Sequence, residues 1–446
     1  MASTILNRTP SSTGNRKKWT LSMWIKNSNL KGQGGSSYQR LYQADGDNEY
    51  FRFTESTGKL LWLTNNGSSG GFLTTRVFRD PNAWLHLVLR IDTTSGTAGD
   101  RSRLYVNGVQ ETAFDTENQV AQDYDTYSNC ISKVMQFGGY STSDQNFNGC
   151  MSHVHMCDGY SYAPTEFGET DSTTGEWKIK TVPSVSYGTN GFFILKDGNS
   201  VTDQSGQGNN LTVSGTLTKT EDNPSNVFCT MNPLIYNTSY VNTFTIGNTR
   251  VEGTSAHWRQ SGATLGIFQG QGKYYWEGKY IDSNDPNGTI GIKENYFNIT
   301  GSGYAQGTSN GGYGLSYNNS GYSHVNGTAD SGYGASFTGN DIMSVAFDAD
   351  NMKLYFAKNG TWQNSGVPTS GSTGTGALSV ASYGSGDNTW IPFVTTHKSA
   401  WEMNFGNGYF GTTAVASAGT NASGNGIFEY DVPTGYTALS TKGLNE

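Results

Sequence analysis

Apolar and polar positions alternate with a period of two through much of this chain. The clearest instance is Asp341–Gln363, DIMSVAFDADNMKLYFAKNGTWQ. Ile342–Phe347 and Leu354–Phe356 read as half-buried strands, because side chains two apart on a strand share a face. Asp348, Asp350 and Asn351 supply turn chemistry between them, and Asn359-Gly360 supplies the positive-φ pair that a tight hairpin needs. The same grammar occurs at Trp84–Gln110: the apolar run LHLVLRID, a polar loop, then RLYVNGVQ leading into Asn-Gly. One such unit in each half predicts two β-sandwich domains of related construction.

Further strands are expected in the first half at Trp19–Lys26, Arg40–Tyr42, Tyr50–Phe53, Lys59–Leu63, Leu104–Val109, Val134–Phe137 and Gln145–Met156. In the second half they fall at Thr243–Ile246, Ala263–Phe268, Lys273–Lys279, Thr289–Ile292, Gly312–Tyr317 and Trp390–Val394. Trp276, Tyr355 and Phe356 are core residues by their alternation. Between the halves, Glu221–Leu234 (EDNPSNVFCTMNPL) places Pro224 and Pro233 where no strand interior tolerates them. The boundary is expected near Asp222, giving domains 1–222 and 223–446.

Composition agrees with an all-β chain. Aromatics are 13% and glycines number 59, while charged residues are only 14%. Low charge alone would suit disorder, but 26 Tyr, 21 Phe and 10 Trp require a packed core. The net charge of −8 offers no field for nucleic acid or anionic membrane. Arg16-Lys17-Lys18 reads as a solvated strand edge. The opening MASTILNRTPSSTGNRKK has no apolar core of a signal peptide, and no apolar run reaches membrane-spanning length. The N-x-[ST] matches at Asn66, Asn210, Asn287, Asn326 and Asn359 read as turns.

Cysteine is sparse: Cys130, Cys150, Cys157 and Cys229 make no disulfide framework. Cys150-x-x-His153-x-His155-x-Cys157 has the look of zinc spacing. On a regular strand, however, Cys150 faces away from the other three.

The motifs WTLSMWIK, AWLHLVLRID…RLYVNGVQ and FNGCMSHVHMCDG, in that order, resemble a laminin-G-like domain of the concanavalin-A-like jelly-roll superfamily. The version common in tailed-phage proteins is closer still. Its marks are RTPSSTGNRKKWTLSMWIK, FGETDSTTGEWKIK at Phe167–Lys180, SYGTNGFFILK at Ser186–Lys196 and the D-x-S-G-x-G-N turn at Asp203–Asn209. In the second half, GKYYWEGKY, GYGLSYN, DIMSVAFDADNMKLYFAKNGTW, IPFV, MNFGNGYF and PTGYTAL resemble a SPRY (B30.2) domain. Both resemblances imply concanavalin-A-like sandwiches, so the expected fold is all-β with two of them in tandem.

The superfamily includes glucanases that carry E-x-D-x-x-E on one strand, which sets nucleophile and acid at working separation. The nearest match here is Glu169-Thr170-Asp171-Ser172-Thr173-Thr174, in a polar, turn-rich stretch. Thr174 cannot serve as the general acid, so no enzyme activity is expected. Laminin-G domains hold calcium at the rim, and Asp45 and Asp47 in DGDNE are the corresponding candidates; a solvated turn is the other reading. Otherwise no cofactor is expected. Gly-, Ser-, Asn- and Tyr-rich loops of the second half make Tyr304, Tyr322, His324 and Tyr333 candidates for contact with sugar rings. The alternative is that these four close the ends of the sandwich.

Taken together, the resemblances imply a structural protein of a tailed-phage virion, a tail fibre or head fibre. It would be made in the host cytoplasm and displayed on the particle for attachment. Its partners would be other virion proteins and a host-surface glycan or protein, with a homotrimer as the usual assembly of such fibres. A glycan-degrading hydrolase on the same fold is the alternative. An intracellular SPRY adaptor is the third reading, and it predicts a recruiting module that the sequence lacks.

Overall fold

The computed structural model describes residues 4–28, 38–54, 56–196, 200–236, 240–294, 314–381 and 389–445, with the backbone alone at 236 and 283–286. The chain divides into two compact units, Met1–Lys219 with Asn223–Ser225 and Thr220–Asp222 with Asn226–Glu446.

The first unit packs two antiparallel sheets face to face. One has eight strands in the order Phe114–Asn118, Gly70–Thr74, Lys59–Thr64, Glu49–Thr54, Tyr38–Ala44, Met135–Phe137, Thr4–Arg8, Thr212–Gly215. The other has six: Phe192–Ile194, Gly149–Asp158, Lys18–Asn27, Trp84–Asp92, Ser102–Val106, Val109–Gln110. Period-two alternation decides what each strand buries. Leu21, Met23 and Ile25 meet Phe51, Phe53, Leu60 and Trp62 in the core, while Ser22 and Trp24 point outward. The expected strand Leu104–Val109 breaks at Asn107-Gly108, whose φ values of 48° and 79° make the hairpin turn.

The stretches that carried the phage resemblance act as staples. RTPSSTGNRKK threads past Asp158, which is buried and accepts the backbone N–H of Asn15 at 2.7 Å and of Asn190 at 2.9 Å. In the D-x-S-G-x-G-N turn, Asp203 accepts the N–H groups of Phe193, Ser205 and Asn209 at 2.8–2.9 Å, which ties the turn to strand Phe192–Ile194. FGETDSTTGEWKIK forms a small hairpin, Gly168–Thr170 with Trp177–Ile179. Trp177 lies so close to Gly108 and Gly168 that a Cβ on either would come within 2.4–2.6 Å of its ring. With Phe167, Tyr187 and Phe193 this segment covers Val88 and Cys157 on the outward face of the six-stranded sheet.

Gly14 makes the same point energetically. A Cβ there would lie 2.1 Å from Asp158 Oδ2 and 2.7 Å from Asn190 Nδ2. Gly14→Ala is therefore expected to displace the Asp158 carboxylate and destabilise the first unit by about 2–4 kcal/mol. The corresponding drop in melting temperature is roughly 5–15 °C by calorimetry. An unchanged first-unit transition would show that the segment yields without disturbing Asp158.

The second unit is built on two long strands, Lys273–Glu294 and Thr389–Asn404, paired along most of their length. The runs expected at Lys273–Lys279 and Thr289–Ile292 are one strand. Its first part pairs with Ile342–Asp348, its last part with Gly314–Asn318, and the register shifts between Asp282 and Asn287. Both parts face one core of Trp276, Tyr280, Ile290, Ile292, Val345, Phe356, Trp390 and Trp401, so the sheet folds around it. The expected strand Ala263–Phe268 is two, Arg259–Ala263 and Ile267–Phe268. The Asn359-Gly360 pair has φ 47° and 78°, as a tight hairpin requires. Trp276 and Phe356 lie in the main core. Tyr355 is buried on the opposite face, since neighbours on a strand cannot share one. There it packs with Tyr275, Phe428, Val432 and Tyr436 beneath the C-terminal segment that includes PTGYTAL.

Candidate ligand-binding face

Of the four loop residues singled out from the sequence, the three that are described do not form a shared surface. Tyr304 lies outside the described residues. Tyr322 is exposed at 39%. His324 is buried in strand Ser323–Val325, its Nε2 is 3.1 Å from Asn318 Nδ2, and burial pushes its pKa down to about 4. Tyr333 is buried edge-on against Tyr317 and Phe356, at centroid distances of 5.6 and 6.2 Å. His324 and Tyr333 thus fill the sandwich, and neither offers a face to a ligand.

Asp45 and Asp47 are placed in the turn before strand Glu49–Thr54, with Asp45 at φ 57°. Asp45 pairs with Lys133 at 2.8 Å, and Asp47 pairs with Arg40. Side-chain cations occupy both carboxylates, and no group of three or more His, Cys, Asp or Glu suited to a metal occurs among the described residues.

The zinc-like spacing needs a geometric correction. Strand Gly149–Asp158 carries a bulge between Ser152 and His155, with His153 at φ 47°. The extra residue restores parity, so Cys150, His155 and Cys157 share the outward face while Met151, Val154 and Met156 turn to the core. His155 is used there as an aromatic: it stacks on Phe193 at 3.9 Å and bonds Tyr187 through Nδ1 at 2.9 Å.

Glu169 is also corrected, since it sits on the short strand Gly168–Thr170 rather than in a turn. Its carboxylate is half exposed and 3.6 Å from Lys178. The backbone amides of Thr174 and Thr173 hold the Asp171 carboxyl down at about 2.

A different constellation emerges on the outward face of the eight-stranded sheet. Tyr-x-Arg occurs once on each strand of one hairpin, as Tyr38-x-Arg40 and Tyr50-x-Arg52, and the register pairs Arg40 with Arg52. Alternation sends Phe51 and Phe53 inward, so Tyr50 and Arg52 face out. The Arg52 guanidinium lies over Tyr38 at 3.7 Å and Tyr50 at 4.5 Å. That of Arg40 lies over Tyr50 at 4.5 Å and Tyr140 at 4.6 Å. The result is a continuous stack, Tyr38–Arg52–Tyr50–Arg40–Tyr140, of the kind that cation–π attraction favours.

Its supports are polar. Gln145, at φ 52°, accepts from Arg40 Nε at 2.8 Å and from Arg52 Nη1 at 3.2 Å. From Arg40 a hydrogen-bond ladder crosses four strands: Arg40 to Gln43 at 2.5 Å, Gln43 to Gln136, Gln136 to Asn7 at 2.7 Å, Asn7 to Ser214 at 3.0 Å. Arg40 is fully buried, whereas the end rings Tyr38 and Tyr140 are exposed at 37% and 38%. Burial lowers the Arg52 pKa from its ordinary value and raises that of Tyr50. Such a surface presents aromatic faces and fixed donors side by side, as sugar recognition requires. The sequence signal was the doubled Tyr-x-Arg, hidden because only Asp45 and Asp47 of this hairpin stood out as chemistry.

Residues 4–166 match the model of the family described as the concanavalin A-like lectin/glucanases superfamily. No curated protein matches the chain. Among solved structures, the SPRY domain of human HERC1 is similar at 15% identity, covering 39% of this chain and 96% of that one, with a TM-score of 0.28. A putative carbohydrate binding protein from Bacteroides ovatus is similar at 14% identity, covering 48% and 59%, with a TM-score of 0.32. Domains LG4-5 of the mouse laminin alpha1 chain are similar at 8% identity, covering 88% and 80%, with a TM-score of 0.28.

Proposed function

We propose that this chain is a non-catalytic, lectin-like protein of a tailed-phage particle, a tail fibre or head decoration that attaches to a host-surface glycan or protein. One observation carries the binding role: the Tyr–Arg stack, with its polar ladder, on the outward face of the first sandwich. The phage assignment rests on the motif set, whose members staple the first unit together. In this reading the protein is made in the host cytoplasm, docks on other virion proteins and assembles as a homotrimer. The non-catalytic part is supported by the region of the E-x-D match, where Thr174 replaces an acid and Asp171 is held ionised by amides.

The test is retention of the protein on purified surface polysaccharide of a candidate host, with reducing ends assayed in parallel. Saturable retention without new reducing ends is expected, for the native chain and for Glu169→Gln alike. Turnover that disappears in Glu169→Gln would establish the hydrolase instead.

A further inference from the structure

We infer that the Tyr–Arg face is built for a carboxylate-bearing sugar, with Arg52 as the residue that meets the acid group; this deepens the lectin-like reading and rests on it. The two arginines are held differently. Arg40 is fully buried and its guanidinium is engaged by Gln145, Gln43, the Gly46 carbonyl and Asp47. It is a positioning residue. Arg52 makes one side-chain hydrogen bond, to Gln145, and no ion pair among the described residues. Among the described residues no carboxylate contacts it, and Asp47 acts on it only through space.

Arg52 is nonetheless fixed. Tyr38 and Tyr50 both lie against its guanidinium, so its donor fork loses little freedom on binding. A planar guanidinium matches a planar carboxylate through two parallel hydrogen bonds. Tyr38 and Tyr140, exposed on the flanks, supply rings against which the apolar face of a pyranose stacks. Asp47, next to the pair, disfavours densely charged anions such as sulfated chains or nucleic acid, while one carboxylate is accommodated.

The test uses the full chain and an immobilised set of uronic- and sialic-acid oligosaccharides, their carboxyl-reduced counterparts, and sulfated neutral sugars. Acid-bearing members are expected to bind, with affinity falling about tenfold on carboxyl reduction. Arg52→Gln is expected to lose about the same factor. Tyr38→Ala is expected to weaken the acid and reduced forms alike. Because Arg52 makes one hydrogen bond and two cation–π contacts, the first unit of Arg52→Gln should still fold and melt no more than about 8 °C below the native protein. Equal binding of reduced sugars, preference for sulfated ones, or undiminished binding by Arg52→Gln would each overturn this assignment and leave the lectin-like reading standing. Failure of every glycan to bind would overturn both.

Discussion

Replacing Glu277 with alanine is expected to unfold the second unit more readily than any other single change proposed for it, by about 3–6 kcal/mol. Glu277 is fully buried on strand Lys273–Glu294, on the face opposite the main core. It accepts the backbone N–H groups of Glu429 and Tyr430, both at 2.9 Å, the Tyr275 hydroxyl at 2.9 Å and Asn404 Nδ2 at 3.3 Å. Those contacts pin the C-terminal segment to the sheet, and alanine leaves two part-buried main-chain donors without their acceptor. Glu277→Gln keeps one acceptor oxygen and should lose only about 1–2 kcal/mol. Burial raises the Glu277 pKa to about 7 from 4.5. A raised carboxyl favours folding most below the unfolded value and loses that contribution as pH rises through the folded one. The loss in Glu277→Ala should therefore be larger at pH 5 than at pH 8, read from denaturant melts. A loss independent of pH would mean that Glu277 is ionised throughout.

In the first unit, acid should act in two stages. His86 is buried between Trp24 and Trp177, stacked at 4.8 and 5.9 Å. Its Nδ1 accepts from Trp177 Nε1 at 3.0 Å, which leaves the Nε2 proton for Ser22 at 2.8 Å. Burial pushes its pKa down to about 3 from 6.5, and that of His155 well below the ordinary value. A lowered histidine stabilises above its unfolded pKa and loses this as pH falls, by about 1.4 kcal/mol per unit per group. Glu49 opposes them. It is buried, accepts Tyr127 N–H at 2.7 Å and Ser128 Oγ–H at 2.7 Å, and titrates near 7 instead of 4.5.

From pH 7 to about 4.5 the gain at Glu49 offsets about half of the combined loss at the two histidines, leaving a net loss of about 2–3 kcal/mol. Below that, Glu49 adds nothing while His86 continues to titrate, so stability should drop steeply, by about 2 kcal/mol from His86 alone before pH 3. The first-unit melting temperature should fall gently to about pH 4.5 and more steeply below it. Glu49→Gln should bring the steep fall up to near pH 6.5, and His155→Phe should make the acid limb shallower. Superimposable profiles for all three proteins would exclude these groups as the source.

Much of this architecture was legible because alternation is a local property. Asn359-Gly360 announced its turn by composition alone, whereas the same pair at Asn107-Gly108 was read through as strand and makes the turn there. The bulge at His153 was not legible: it depends on how Gly149–Asp158 seats against Lys18–Asn27, and it reverses the face of every residue beyond it. The strand Lys273–Glu294 looked like two for a related reason, since its register shift interrupts the apolar pattern without ending the strand. The buried glutamates left a faint trace, a lone Glu within KYYWEGKY and another before YFRF, readable only once covering backbone amides are known. Tyr333 and His324 turned out buried because composition does not distinguish a contact loop from a plug. Tyr333 has the neighbours of a binding loop in sequence and those of a core in space.

The most direct test is a paired pull-down of the native chain and a Tyr38→Ala, Arg52→Gln double variant. Each is offered to envelopes of a candidate host and, separately, to virions stripped of the protein. The native chain should bind envelopes saturably and be displaced by host surface glycan, while the double variant loses the envelope and still docks on the particle. Equal envelope binding by both proteins, or binding of the native chain to the particle alone, would contradict attachment through this face.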